Sequence, residues 1–112
     1  MAKPIDDSLT VLLLDALAGA GAVTARRMFG GIGIFSDAKM FGLVYDDTLY
    51  FKADDTTVDD YDAADSVQFM PRVKGRAMSM PYYTVPAEVI DNPEALKVWA
   101  ERAIALARSA GK

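Results

Sequence analysis

The chain has 112 residues, a formal net charge of −4 and a hydrophobic fraction of 52%, values that are typical of one folded domain. It contains neither cysteine nor histidine, which excludes disulfides, thiolate nucleophiles, histidine-based catalytic sites and the commonest metal sites. Carboxylate, lysine or tyrosine chemistry remains open, but no carboxylate pair or nucleophile–base spacing points to a reaction. We therefore expect one domain over residues 1–112 that binds rather than catalyses, with no metal site.

The beginning of the chain shows no targeting signal. Met1–Asp7 leads into a mixed segment that contains acids and no cleavage site. The longest apolar run near the start, Val11–Leu14, is far too short to span a bilayer. These features predict a cytoplasmic protein.

Charge is unevenly distributed along the chain. Between Asp46 and Asp65 there are eight aspartates and one lysine, so this segment carries −7 while the remainder carries +3. A local basic surface therefore remains possible despite the acidic total, because charges act over about 8 Å at physiological salt.

The first half of the chain predicts one helix followed by a meander. Apolar residues at three- and four-residue spacings predict a helix over residues 7–20, with Asp7 or Ser8 as cap and Gly19 or Gly21 as stop. Three strands are expected after it, and they are Gly30–Phe35, Met40–Tyr45 and Thr48–Ala53. The links between these strands have two to four residues, which requires neighbouring strands to be antiparallel.

The second half predicts a short acidic helix at Thr56–Ala64, strands at Val67–Pro71 and Met78–Val85, and a final helix. Pro81 suggests an edge position or a bulge in the last strand, because proline cannot donate to a ladder. Asn92 before Pro93 is typical of a helix start, and Trp99 is expected to anchor this helix in the core.

Together these elements predict an α+β domain. Its expected architecture is an antiparallel five-stranded meander-type sheet with N- and C-terminal helices packed on it and a short helix between strands three and four.

Three segments resemble the N-terminal domain of the TfoX/Sxy competence regulators, and the resemblance covers roughly residues 8–108. They are Arg26-Arg27-Met28-Phe29-Gly30-Gly31-Ile32-Gly33-Ile34-Phe35, then Met40–Lys52, and then Met80-Pro81-Tyr82-Tyr83-Thr84-Val85-Pro86 before the closing helix. The resemblance implies an antiparallel α+β fold in a bacterial cytosolic protein without a cofactor. It also implies a role in regulating competence genes by assisting a transcription factor. Full-length regulators carry a second domain, whereas we expect a stand-alone form here.

Two motifs have simpler interpretations than the functional ones they suggest. The sequence Gly30-Gly31-Ile32-Gly33 lacks the lysine and serine or threonine of a phosphate-binding loop, so we interpret it as a strand with close backbone contacts. The acidic segment could bind Ca²⁺ or Mg²⁺, but it lacks the spacing of a calcium loop. A solvated acidic surface is the favoured interpretation.

The basic residues around the glycine-rich strand and the later polar link form the favoured partner-binding site. We expect Arg26 and Arg27, before the first strand, to lie near Arg72, Lys74 and Arg76 in the link. Tyr82 and Tyr83 should face opposite ways, so one of them could anchor a partner. The complete candidate site is Arg26, Arg27, Phe29, Arg72, Lys74, Arg76, Tyr82 and Tyr83.

The expected partner of this site is a protein, such as a transcription factor. Direct nucleic-acid binding is less favoured, because no helix shows the basic face of a recognition helix. The alternative function is a small-molecule-binding domain or weak enzyme with a pocket between sheet and helices. Homodimerisation through an edge strand also remains open.

Overall fold

The computed structural model describes residues 8–17, 23–28, 31–46, 48–77 and 80–110. The predicted cap Asp7 and the predicted stops Gly19 and Gly21 lie outside these residues. The elements in chain order are α1 (Ser8–Ala16), β1 (Val23–Met28), β2 (Gly31–Ser36), β3 (Lys39–Tyr45), β4 (Thr48–Lys52), α2 (Val58–Ala63), β5 (Arg72–Val73), β6 (Arg76–Ala77), β7 (Tyr82–Thr84), α3 (Ala87–Ile90) and α4 (Pro93–Ala110).

Five of these strands form one antiparallel sheet in the order β1-β2-β3-β4-β7, and β5 and β6 form a separate two-stranded hairpin. The first four strands are a meander, as the short links require. The turn between β2 and β3 is made by Asp37 and Ala38, which both adopt positive φ (50° and 68°). The α+β fold class, with helices at both ends and a short helix after the meander, is confirmed.

Strand β1 was not predicted, because we expected Arg26 and Arg27 to precede the first strand. Both arginines instead lie inside β1, which pairs with β2 along its whole length, from Val23 opposite Ser36 to Met28 opposite Gly31. An edge strand has one neighbour and can carry charged side chains at the margin of the sheet. This is why it shows little of the apolar alternation that marks the inner strands.

Of the two strands predicted after α2, the first is not a regular strand, and the second is present as β7 over fewer residues than predicted. Residues 67–71 contribute only an isolated bridge, between Gln68 and Tyr83, and regular pairing with β4 is confined to β7. The polar link at residues 72–76, predicted as a loop, contains the β5–β6 hairpin. Pro81 lies immediately before β7, which is an edge strand of the sheet, as predicted.

The helices cover one face of the sheet and form the core with it. Phe41, Phe51 and Leu96 have no exposed surface, and the rings of Phe41 and Phe51 pack with their centroids 6.0 Å apart. Trp99 was predicted to anchor the last helix in the core at its contact with the sheet. It is instead half-buried at the margin of the core, where it meets the ring of Tyr61, on α2, edge to face at 4.9 Å. No helix among the described residues is long and apolar enough to cross a membrane.

Asn92 caps helix α4, as the Asn-Pro pair predicted. Its side-chain oxygen accepts hydrogen bonds from the backbone N–H groups of Glu94 (3.1 Å) and Ala95 (3.3 Å). Pro93 occupies the first helical position, where no N–H is needed.

We expect Asn92→Ala to lower the free energy of unfolding by about 1 kcal/mol, because two helix N–H groups lose their acceptor. Urea denaturation of the variant beside Asn92→Asp measures this effect. Asn92→Asp keeps a capping oxygen and should differ little from the parent. A free energy of unfolding for Asn92→Ala equal to that of the parent would show that the Asn92 cap does not stabilise the fold.

Candidate functional site

The sheet has a second face, turned away from α1 and α4, which we call the outer face. Strand register places alternate residues on it, so that Leu43 lies opposite Gly33 on one side and Tyr50 on the other. None of the outer-face residues Phe35, Leu43 and Tyr82 belongs to the buried cluster that the helices cover. The outer face therefore carries side chains that pack outside the helix-covered core.

An aromatic cluster on the outer face connects the meander to the chain that follows α2. The ring of Phe69 packs on Tyr50 with a centroid distance of 4.9 Å and on Tyr45 at 5.5 Å. Tyr45 remains 40% exposed. Burial raises the pKa of the Tyr50 hydroxyl, and the nearby carboxylate of Asp46 adds to the increase.

The β5–β6 hairpin begins three residues after Phe69 and carries exposed charge at its tip. Val73 pairs with Arg76, and the two residues between them, Lys74 and Gly75, have φ of 54° and 80°. Positive φ at both central positions is typical of the tight type I′ hairpin turn. A Cβ at Gly75 would have no atom within 4 Å, so this side of the turn faces open space.

Exposed apolar side chains are also found in the segment that leads into the hairpin and on the strand end that contacts this segment. Met70, two residues before the hairpin, is 51% exposed. Tyr45 is linked to this segment through Phe69. Lys74 and Arg76 are exposed. We call Tyr45, Met70, Lys74 and Arg76 together the hairpin surface.

The predicted basic site is divided between two elements. Arg26 and Arg27 lie on β1, at one edge of the sheet, whereas Arg72, Lys74 and Arg76 lie on the hairpin. The chain that leads into and out of the hairpin is hydrogen-bonded beside β7, at the opposite edge, where the Phe69 N–H donates to the Tyr82 carbonyl. Phe29 lies outside the described residues. The structure therefore shows a basic edge strand and a basic hairpin in place of two adjoining loops.

An open cleft of about 290 Å³ lies beside β1, lined by Thr24, Ala25, Arg26, Phe35 and Ala38. The guanidinium of Arg26 lies 4.7 Å from the centre of the Phe35 ring, a cation–π distance. Among the described residues of this lining, Arg26 is the one charged residue, and these residues do not supply the several convergent polar groups that small-molecule sites generally have.

Comparison with known families gives a match to the TfoX N-terminal domain over residues 15–107. The matched segment begins within α1, contains every described strand and ends within α4. The chain belongs to the TfoX N-terminal domain family. No curated protein matches it. The TfoX N-terminal domain is a regulatory family linked to competence, which agrees with the resemblance found in the sequence.

In this TfoX N-terminal domain, Tyr82 and Tyr83 point to opposite faces, as alternation predicted, but neither offers a freely exposed ring. Tyr82 is only 5% exposed, its hydroxyl donates to the Met40 carbonyl (3.3 Å), and burial raises its pKa. Tyr83 is half-buried and packs toward the core on Tyr61 at 5.8 Å. Both rings of this pair are therefore largely covered, and partner contact through either tyrosine stays a prediction.

Among the described residues, the aromatic side chain that is exposed is instead that of Tyr45, which sequence reasoning missed as a site residue. The available signal was its position at the end of β3, two residues after Leu43 and directly before the Asp46 turn. A residue at a strand end has fewer neighbours to cover it than one at the centre.

The acidic segment of the TfoX N-terminal domain makes local and structural contacts. Asp54 accepts hydrogen bonds from the Thr56 hydroxyl (2.6 Å) and the Thr56 N–H (2.8 Å), which lower the pKa of its carboxyl. Asp60 pairs with Arg102 of α4 at 2.8 Å. In the part of the chain that the structure describes, no group of three or more acidic residues is arranged to hold a metal ion.

Proposed function

We propose that this TfoX N-terminal domain is a non-catalytic binding module that acts in competence-type transcriptional regulation through protein–protein contacts. The hairpin surface is the part of the domain that makes the contact. Family membership supports the regulatory role. The observation that carries the choice of surface is the tight hairpin turn, which displays Lys74 and Arg76 and follows a segment with an exposed apolar side chain, Met70.

The composition of the hairpin surface favours a protein partner. Tyrosine, methionine and arginine are enriched at protein interfaces relative to the remaining surface, and tyrosine and arginine are frequent hot-spot residues. Tyr45 is preordered by its contact with Phe69, so less rotamer freedom is lost when a partner covers it. Lys74 and Arg76 add positive charge at the rim, where it steers a partner with an acidic surface.

The charge balance of the whole domain disfavours nucleic acid as the partner. The net charge is −4, and binding to a phosphate backbone draws most of its free energy from several basic groups acting together. An acidic protein surface needs fewer such contacts, because apolar burial at Tyr45 and Met70 supplies the rest of the affinity. The proposed partner is therefore a component of the transcription machinery with an acidic and apolar docking surface.

The double variant Lys74→Asn/Arg76→Gln tests this surface. Asparagine is favoured at positive φ before glycine in a type I′ turn, so the hairpin keeps its shape while it loses two positive charges. We expect the purified variant to lose a protein that the parent retains from soluble extract of the source cells, with affinity reduced at least about tenfold. Affinity capture with mass spectrometry, followed by titration of the captured protein, measures this loss.

Lys97→Glu is the matched control, because it changes the net charge by the same amount on an exposed position of α4. This control should retain the partner as the parent does. Retention by both variants would reject the hairpin surface, and loss by both would show a non-specific effect of net charge. A captured set without any protein of the transcription machinery would contradict the regulatory part of the proposal.

A further inference from the structure

Strand β1 presents an open edge of the sheet. It is hydrogen-bonded to β2 on one side, and no described residue pairs with its other side. Such an edge displays unpaired backbone N–H and C=O groups that can accept another strand. At the opposite edge, β7 is different, because residues 67–69 are hydrogen-bonded beside it. Of the two edges of the five-stranded sheet, the one available for strand addition within the described part of the chain is therefore that of β1.

Charge at this edge indicates the chemistry of the strand that would fit. Arg26 and Arg27 are both exposed, and neither forms an ion pair with a described acidic side chain. Neighbouring residues on a strand point to opposite faces. The two arginines therefore offer one positive charge on each side of the same edge.

The cleft beside β1 adds a place for an apolar side chain. Its lining includes Thr24, Arg26 and the ring of Phe35, all on the outer face. Because side chains repeat every two residues on one face of a strand, a ligand residue opposite Thr24 would lie over this cleft. In strand-addition complexes, main-chain hydrogen bonds supply affinity, and pockets for alternate side chains supply specificity.

A second copy of the chain fits this edge poorly. Antiparallel pairing of β1 with itself would place four guanidinium groups along a ribbon of six-residue strands. Like charges opposite one another destabilise a strand pair. Charge complementarity therefore favours an acidic partner over homodimerisation at this edge.

We propose that the β1 edge binds an extended acidic peptide segment of a partner protein as a sixth strand of the sheet. Two adjacent acidic residues pair with Arg26 and Arg27, and an apolar residue two positions away from the first acid enters the cleft beside Phe35. This site is separate from the hairpin surface, and its success or failure leaves the proposed function unchanged.

A labelled, end-capped peptide Val-Thr-Glu-Glu-Thr-Val is the probe, because its palindromic order presents the same pattern to parallel and antiparallel pairing. We expect it to bind with an affinity of roughly millimolar or better. In amide NMR spectra, its largest shifts should fall on residues 23–28. Val-Thr-Lys-Lys-Thr-Val should not bind, and a version with N-methylated threonines, which removes strand donors, should lose at least about tenfold in affinity.

Protein variants separate this site from the hairpin. Arg26→Gln/Arg27→Gln should weaken binding of the acidic peptide about tenfold with an unchanged far-ultraviolet circular dichroism spectrum. Lys74→Asn/Arg76→Gln should bind the peptide as the parent does. The inference is overturned if the acidic peptide gives no shifts at about 1 mM, if its shifts fall on residues 72–77, or if the N-methylated peptide binds equally well.

Discussion

Replacing Phe51 by alanine should lower the free energy of unfolding by about 3–5 kcal/mol. The Phe51 side chain is fully buried at the centre of the helix-covered face, where its ring packs on Phe41. Removing the ring loses its transfer free energy and leaves a cavity that the rigid sheet cannot close. Because domains of this size have about 5–15 kcal/mol of stability, the variant should be close to unfolding. Urea denaturation followed by tryptophan fluorescence, with Trp99 as the reporter, measures the effect.

Two control variants identify the cause of this loss. Phe51→Leu fills much of the same volume and should cost less than about 2 kcal/mol. Lys52→Ala changes the next residue of β4, which is on the outer face and lies 5.5 Å from the Tyr82 ring, and it should cost no more than about 1 kcal/mol. A Phe51→Ala loss as small as that of Lys52→Ala would contradict the assignment of the two faces of the sheet.

Replacing Gly31 by alanine should cost about 2–3 kcal/mol, an unusually large effect for a single added methyl group. An ideal Cβ at this position would lie 2.5 Å from the carbonyl oxygen of Val44 and 3.2 Å from the Tyr45 ring. The nearest obstacle is backbone, so β2 and β3 must separate where Ile32 pairs with Val44. Thermal and urea unfolding of the purified variant measure the cost.

Gly75→Ala provides the contrast, because the reason for glycine there is different. A Cβ at Gly75 meets no atom, but its φ of 80° is strained for any residue with a side chain. We expect this strain, about 1–2 kcal/mol, to open the hairpin locally. Amide exchange should therefore accelerate at residues 72–77 while the global unfolding midpoint changes little. If Gly31→Ala were as mild as Gly75→Ala in global unfolding, the close β2–β3 approach would be wrong.

The parts of the fold with strong local signals were predictable. The Asn92-Pro93 pair marked the start of α4, and apolar spacing marked the face that Leu96 and Ala103 bury. Strong alternation marked β4, where Leu49 and Phe51 are buried and Tyr50 is half-exposed between them. In these segments, local preference and tertiary packing agree.

The parts that failed depend on long-range pairing. Strand β1 contains two consecutive arginines and little alternation, and among the described strands β2 alone pairs with it. The hairpin consists of two-residue strands closed by Lys74-Gly75, a weaker turn signal than Asn-Gly. At residues 67–71, apolar composition suggested a strand, but this segment lies along β7 with one isolated bridge and no regular strand. A single sequence does not reveal which distant segments pair with each other. The basic residues of the candidate site could therefore be identified, but their positions relative to one another could not be predicted.

Helix α4 has a consequence for how the protein is made. It is the last described element, and it packs on β3, β4, α1 and α3, contributing Leu96, Ala100 and Ala103 to the interior. During translation the whole meander therefore leaves the ribosome before α4 does. Until α4 has left the ribosome and packed on the sheet, the apolar face of the sheet is exposed to water and open to chaperones and proteases. A chain that stalls before Pro93 should accordingly be degraded rather than accumulate.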